Sequence, residues 1–112
     1  MTEKIYIAGP MSGIKDDNRL EFEKAERDLI ALYQEEGDYE IFNPINHEGS
    51  LMVQQGLVRD MQEAYRLCMK IDTAWICEHA TMIYMLRGWE NSKGAMAEWT
   101  LAKCLGLRIV YQ

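Results

Sequence analysis

A single doubly wound α/β domain with a parallel sheet of four or five strands is what this chain of 112 residues predicts. Three observations carry that expectation. Short β-branched and aromatic runs alternate with longer stretches whose apolar positions recur at helical spacing, the pattern of right-handed βαβ units. The length is close to the commonest size of one domain, and no repeat, linker or low-complexity segment divides residues 1–112. Finally, turns rich in Gly, Pro, Ser and Asn follow the strands, and the carboxyl ends of such strands are where this architecture holds ligands.

Each element follows in order. "KIYIAGP" is a β-branched and aromatic run closed by Gly-Pro, a strand over about residues 4–8. After the loop "MSGIKDDN", the stretch "RLEFEKAERDLIALYQEEG" places Leu20, Phe22, Ala25, Leu29, Ile30 and Leu32 at roughly helical spacing, and Gly37 stops it. "YEIFNP" is a second, shorter strand, and residues 45–56 form a loop. A helix from about Leu57 to His79 gathers Met61, Tyr65, Cys68, Trp75 and His79 on one face. "TMIYML" is the third strand, a helix from about Gly94 follows, and "LRIVYQ" is the fourth strand. Strands and helices together read as a Rossmann- or flavodoxin-like arrangement.

Composition narrows the classes of function. Hydrophobic residues make up 48% and charged residues 27%, ordinary values for a globular domain. A net charge of −6 speaks against wrapping a nucleic-acid polymer or an anionic membrane through bulk charge, but not against a small anion held by local donors. Cys68, Cys77 and Cys104 show no metal-ligand spacing and leave an odd count, as reduced thiols of a cytoplasmic protein would. No apolar run reaches the roughly 18–20 residues of a membrane span.

The helix after the third strand raises the chemical question. Gly94, Ala95, Leu101, Ala102 and Leu105 fall on one side of it, and Glu98 falls in the middle of that side. A carboxylate on an apolar stripe is costly unless it is paired. Small neighbours leave room for a ligand there, and a carboxylate beside a sugar can act as a nucleophile. Asp72 poses the same puzzle among Tyr65, Cys68, Trp75 and His79. An acid buried beside a second acid holds its proton more tightly, which suits a donor, although a satisfied structural Asp explains the position equally well. On the first strand, Tyr6 and Ala8 share one face and Ile5 and Ile7 the other. A phenol at Tyr6 can orient a carboxylate, with Ala8 leaving space, though packing alone also accounts for it.

Two loops supply candidate binding groups. In "AGPMSG", Gly9 and Gly13 permit close backbone approach and Ser12 offers a hydroxyl; a plain tight turn has equal weight. In "ENSKGA", Ser92 can cap the helix and Gly94 admits a ligand to its amides, with Lys93 adding charge; an ordinary N-cap explains Ser92 as well. Neither His47 nor His79 has a metal-spaced partner, so no metal site is assigned, and Met82 and Met85 read as core filler.

"IYIAGPMSG", "FNP" and "IYMLRGWENSKGAMAEWTLAKCLGL" resemble the nucleoside 2-deoxyribosyltransferase superfamily over nearly the whole chain, and most closely its small phage and bacterial branch, the DUF4406 family. The resemblance implies that Glu98 is the nucleophile attacking the anomeric carbon of a 2-deoxyribosyl unit. It further implies that Tyr6 hydrogen-bonds that carboxylate and that Asp72 assists at base or sugar. Ser92 matches the position that holds Ser in 2′-deoxynucleoside 5′-phosphate N-hydrolases and Asp in transferases of free nucleosides. The expected substrate is thus a deoxynucleotide or deoxynucleoside, with no cofactor. The substrate contacts implied are Gly9, Pro10, Met11, Ser12 and Gly13, then Asn43, then Trp89, Ser92 and Gly94. Thr81 stands where relatives commonly carry Asp at the start of that strand. In the enzymes a C-terminal segment donates a polar residue to a neighbouring subunit's site, and exposed Trp89 and Trp99 likewise favour a homo-oligomer. The competing expectation is a nucleotide-binding module that does not depend on Glu98; a receiver-like domain fits less, lacking acids after the first strand.

Overall fold

The computed structural model describes residues 2–11, 14, 18–46, 56 and 60–112. Its strands are β1 (Glu3–Ala8), β2 (Tyr39–Phe42), β3 (Met82–Met85) and β4 (Arg108–Tyr111). Three α-helices connect them: α1 (Arg19–Tyr33), α2 (Met61–Glu78) and α3 (Lys93–Leu105). Short 3₁₀ turns occupy Pro44–Asn46 and Trp89–Asn91. The sheet has four strands in the order β2-β1-β3-β4, and all three pairings are parallel. This is the doubly wound architecture anticipated from the sequence, with four strands among the described residues.

The order fixes where a ligand crevice belongs. From β1 the chain crosses to β2 on one side and then returns to β3 on the other, so the topology reverses between β1 and β3. Strand alternation divides the interior. Ile5, Ile7, Met82 and Leu86 pack with Phe22, Ala25 and Leu29 of α1. Tyr6, Ala8, Ile83 and Met85 face α2 and α3 through Ile76, Ala95 and Ala102.

Capping sets the helix ends. Asp60 accepts from the amides of Gln62 and Glu63 at 2.8 and 3.3 Å and caps α2 at Met61; the expected start at Leu57 lies outside the described residues. Gly106, at φ 71°, adopts the left-handed conformation that ends α3.

Three leucines expected on inner faces lie outside. Leu20 is 79% exposed on the side of α1 opposite Phe22, and Leu32 is 60% exposed on its flank. Among the described residues α1 is the only α-helix on its face of the sheet, so no second described helix covers that flank. Leu105, in the last turn of α3, is exposed because a 13-residue helix outreaches four-residue strands. Met61 and Tyr65 of α2 are also exposed, for a different reason: they stand over a cavity.

Candidate active site

A cavity of about 450 Å³ opens where the topology reverses. Its walls are the turn after β1 (Gly9, Pro10, Met11), the first turns of α3, and the face of α2 bearing Tyr65, Cys68, Met69 and Asp72. Tyr6, Asp72 and Glu98 line it together, so three residues singled out from distant parts of the sequence meet at one site.

Glu98 and Asp72 are each only 5% exposed. Glu98 shares the inner side of α3 with Ala95 and Ala102, whose small side chains bring the helix close to the sheet. The fully buried Tyr6 hydroxyl donates to Oε2 of Glu98 at 2.7 Å, the short distance of a charge-assisted bond. Burial first, and then the charges of Glu98 and Asp72, hold the Tyr6 phenol well above its ordinary pKa of 10.0; hydrogen bonding to both carboxylates acts in the same direction. Tyr6 is therefore a protonated donor throughout the neutral range. Its ring is fixed by stacking on Phe42, with centroids 5.5 Å apart, and Phe42 stacks on Trp75 at 5.0 Å.

At the other end, Ser92 caps α3 by accepting from the Ala95 amide at 3.2 Å. The first intrahelical bond runs from the Met96 amide to the Ser92 carbonyl, which leaves the Lys93 and Gly94 amides ahead of the ladder. Both residues line the cavity. Capping uses a lone pair of the serine hydroxyl, not its proton, so a cap can also donate to a ligand.

The glycines act mainly through packing. A Cβ on Gly9 would lie 2.7–2.9 Å from three Leu86 side-chain atoms, so the absent side chain serves the contact between the β1 turn and the end of β3. A Cβ on Gly94 would stand 3.3 Å from the Tyr65 hydroxyl and 3.7 Å from the Met69 sulfur. Both glycines also line the cavity, so each absent side chain serves a contact within the protein at the cavity wall.

Two expected contacts lie elsewhere. Asn43 does not line the cavity; its amide donates to the Phe22 carbonyl (3.3 Å) and to Glu26 (2.9 Å), and its Oδ1 accepts from Ile45, tying the β2 turn to α1. Trp89 packs instead on Trp99, with centroids 5.0 Å apart, beside β4. Ser12, Gly13 and His47 lie outside the described residues. Thr81 sits at the amino-terminal end of β3, where its hydroxyl accepts from Lys4 and donates to Glu3, both at 2.9 Å. The strand direction thus places it away from the cavity. Among the described residues no three His, Cys, Asp or Glu side chains form a metal-binding group, and no helix is long and apolar enough to cross a membrane.

Helical spacing alone assigns Tyr65 and Cys68 to the core face of α2, yet they line the cavity. Their separation from Asp72, seven and four residues, is the available signal, since such positions stack on one helix face.

Fold and site define a parallel α/β domain with a crevice at its strand ends, lined by two buried acids and a buried phenol. The chain belongs to the DUF4406 family, a domain of unknown function, whose family model matches residues 3–111. No curated protein and no solved structure matches it.

Proposed function

We propose that the protein cleaves or transfers the N-glycosidic bond of a 2′-deoxynucleoside 5′-monophosphate, or of a deoxynucleoside, through Glu98. The observation that carries this reading is the 2.7 Å hydrogen bond from the buried Tyr6 hydroxyl to Glu98 inside a cavity that also holds Asp72. Burying a carboxylate costs several kcal/mol unless it is compensated, so a tyrosine held to orient one at a cavity wall fits a reacting group better than a stabilising one.

In the proposed reaction a Glu98 oxygen bonds to the anomeric carbon while the C–N bond breaks and its electron pair leaves with the base. Asp72 or water supplies the proton that the leaving base takes up. Water, or the nitrogen of a second base, then attacks the same carbon, gives up its proton to the Asp72 carboxylate or to solvent, and displaces the Glu98 oxygen as a carboxylate. Tyr6 holds the carboxylate by Oε2 throughout. Ser92 and the amides of Lys93 and Gly94 suit a 5′-phosphate at the positive end of the α3 dipole. Tyr65, Met61 and Met69 offer an apolar wall of the kind a base stacks on. Free nucleotides and reduced thiols coexist in the cytoplasm, where we place the protein.

The test is base release from deoxynucleosides and their 5′-monophosphates, followed chromatographically for wild type and Glu98→Ala. Release that disappears in the variant supports the reading, and a requirement for an added base identifies transfer. No turnover, with nucleotides raising the melting temperature of both proteins, would replace the enzyme with a binding module.

A further inference from the structure

The two edges of the sheet differ in a way that the cavity does not explain. The segment from Glu35 to Phe42, which carries the edge strand β2, holds four acids (Glu35, Glu36, Asp38 and Glu40) and no base of its own. A second copy brought to that edge meets its own charge, a common protection of exposed strands. At β4 the opposite holds. From Trp99 to Gln112 there is no acid, in a chain of net charge −6.

Hydrogen bonding shows which backbone groups β4 turns outward. The amides of Arg108 and Gln112 donate inward to Thr81 and Met85 of the β3 segment, at 3.2 and 2.9 Å. Strand alternation then directs the N–H and C=O groups of Ile109 and Tyr111 away from the sheet. Val110 lies between them, on the α1 side with Tyr84, while Ile109 belongs to the α2 and α3 side.

We propose that β4 is the interface of a homodimer in which two copies pair antiparallel about a two-fold axis through Val110. In that register Ile109 faces Tyr111 of the other copy twice, and each such pair exchanges two N–H···O bonds through the outward groups. Arg108 comes opposite Gln112, so no like charges meet, and Ile109 opposite Tyr111 is a favourable β-branched and aromatic pair. The edge is already ordered for this contact. Tyr111 is 54% exposed, yet its hydroxyl accepts from the Trp99 indole at 2.9 Å, Trp89 lies 6.0 Å from its ring, and Lys103 stands 4.5 Å over Trp99. An aromatic cluster beside strand groups that have no partner among the described residues suits an isologous interface, where aromatic side chains are enriched. This pairing is independent of the reaction proposed above.

Sedimentation equilibrium of the full chain tests it directly, the expected mass being twice the 13.0 kDa of one chain at high micromolar concentration. Val110→Lys places two ammonium groups opposite each other and is expected to abolish the dimer while leaving the circular dichroism unchanged. Val110→Cys, with Cys77→Ser and Cys104→Ser to remove the exposed thiols, gives a positive readout. Residues facing each other in a non-hydrogen-bonded antiparallel pair have Cα atoms about 4.5 Å apart, within disulfide reach. Mild oxidation should link this variant into a covalent dimer, and Ile109→Cys in the same background should stay unlinked. A monomer at every concentration, or a dimer in which Val110→Cys does not cross-link, overturns the proposal. Should Val110→Lys not fold, the cross-linking result decides.

Discussion

Tyr6 and Ile7 are adjacent in β1, yet they belong to interiors of opposite character. On the α1 side, Ile7 joins Ile5, Phe22, Ala25, Leu29 and Met82 in an apolar core, and the buried polar side chain beside it, Asn43, is a neutral amide held by three hydrogen bonds. On the α2 and α3 side, Tyr6 meets two buried acids at the wall of a cavity. One face follows mainly from the hydrophobic effect. The other carries groups that oppose folding, in a domain whose whole stability is expected to be about 5–15 kcal/mol. Neighbouring residues thus separate what holds the protein together from what it is proposed to do.

Substitutions on the two faces should therefore fail in different ways. The largest effect is expected at Glu98. Glu98→Gln keeps the shape and the hydrogen bond to Tyr6 but removes the nucleophile, so base release should fall by about 10³-fold or more. Its melting temperature should be unchanged or higher, because a buried charge is gone. Loss of folding together with activity would mean that Glu98 is structural and that the two faces are alike. The counterpart is Phe22→Ala. It should cost about 3–5 kcal/mol in a denaturant titration, the usual range for a buried phenylalanine, while kcat/KM of the folded fraction is unaffected. A marked loss of kcat/KM there would show that the faces are coupled.

The two faces are not equally legible in the sequence. Alternation in β1 assigns Ile5 and Ile7 to one side and Tyr6 and Ala8 to the other, because the period of a strand leaves no choice. Glu98 and Asp72 stand out because a charge on an apolar stripe violates the local pattern. Pattern alone yields less where several causes produce the same residue. Gly9 reads identically whether Leu86 or a ligand needs the space, and only coordinates show that Leu86 fills it. Asn43 marks a turn in either case, and its three hydrogen bonds to α1 and to its own turn are tertiary facts. Tyr65 reads as a core residue because helical spacing reports which residues share a side, not what that side faces.

Tyr6 allows the comparison to be sharpened by pH. Its folded pKa lies above the unfolded value of about 10, through burial and then through the charges of Glu98 and Asp72. Below the unfolded pKa both states hold the proton, and the contribution to stability is constant. Above it the unfolded chain releases the proton first, so stability falls as pH rises toward the folded pKa, at up to about 1.4 kcal/mol per pH unit. Tyr6→Phe should flatten this alkaline limb in thermal melts. The same variant loses a hydrogen bond to a charged group, worth about 1.5–3 kcal/mol, and should lower kcat/KM roughly tenfold to a hundredfold. An alkaline limb identical in both proteins would show that the Tyr6 phenol titrates normally and does not share in holding Glu98.

The smallest effect on stability is expected at Ser92, and it is the most discriminating. Ser92→Ala removes the acceptor of the Ala95 amide and should cost about 1 kcal/mol. Ser92→Asp instead keeps a good cap, and a carboxylate at the positive end of α3 is favourable, so stability should be held. What changes is the charge offered to a ligand. A phosphate beside the introduced carboxylate would meet like charge where Ser92 offers a proton, and a free nucleoside would not. The ratio of kcat/KM for a deoxynucleoside 5′-monophosphate over that for its nucleoside should fall about tenfold to a hundredfold, equivalent to roughly 1.4–2.8 kcal/mol. An unchanged ratio would leave Ser92 as a cap alone and move the phosphate elsewhere, while Glu98 and Tyr6 kept their roles. A lowered ratio with unchanged stability would assign one serine hydroxyl both tasks, its lone pair to the helix and its proton to the substrate.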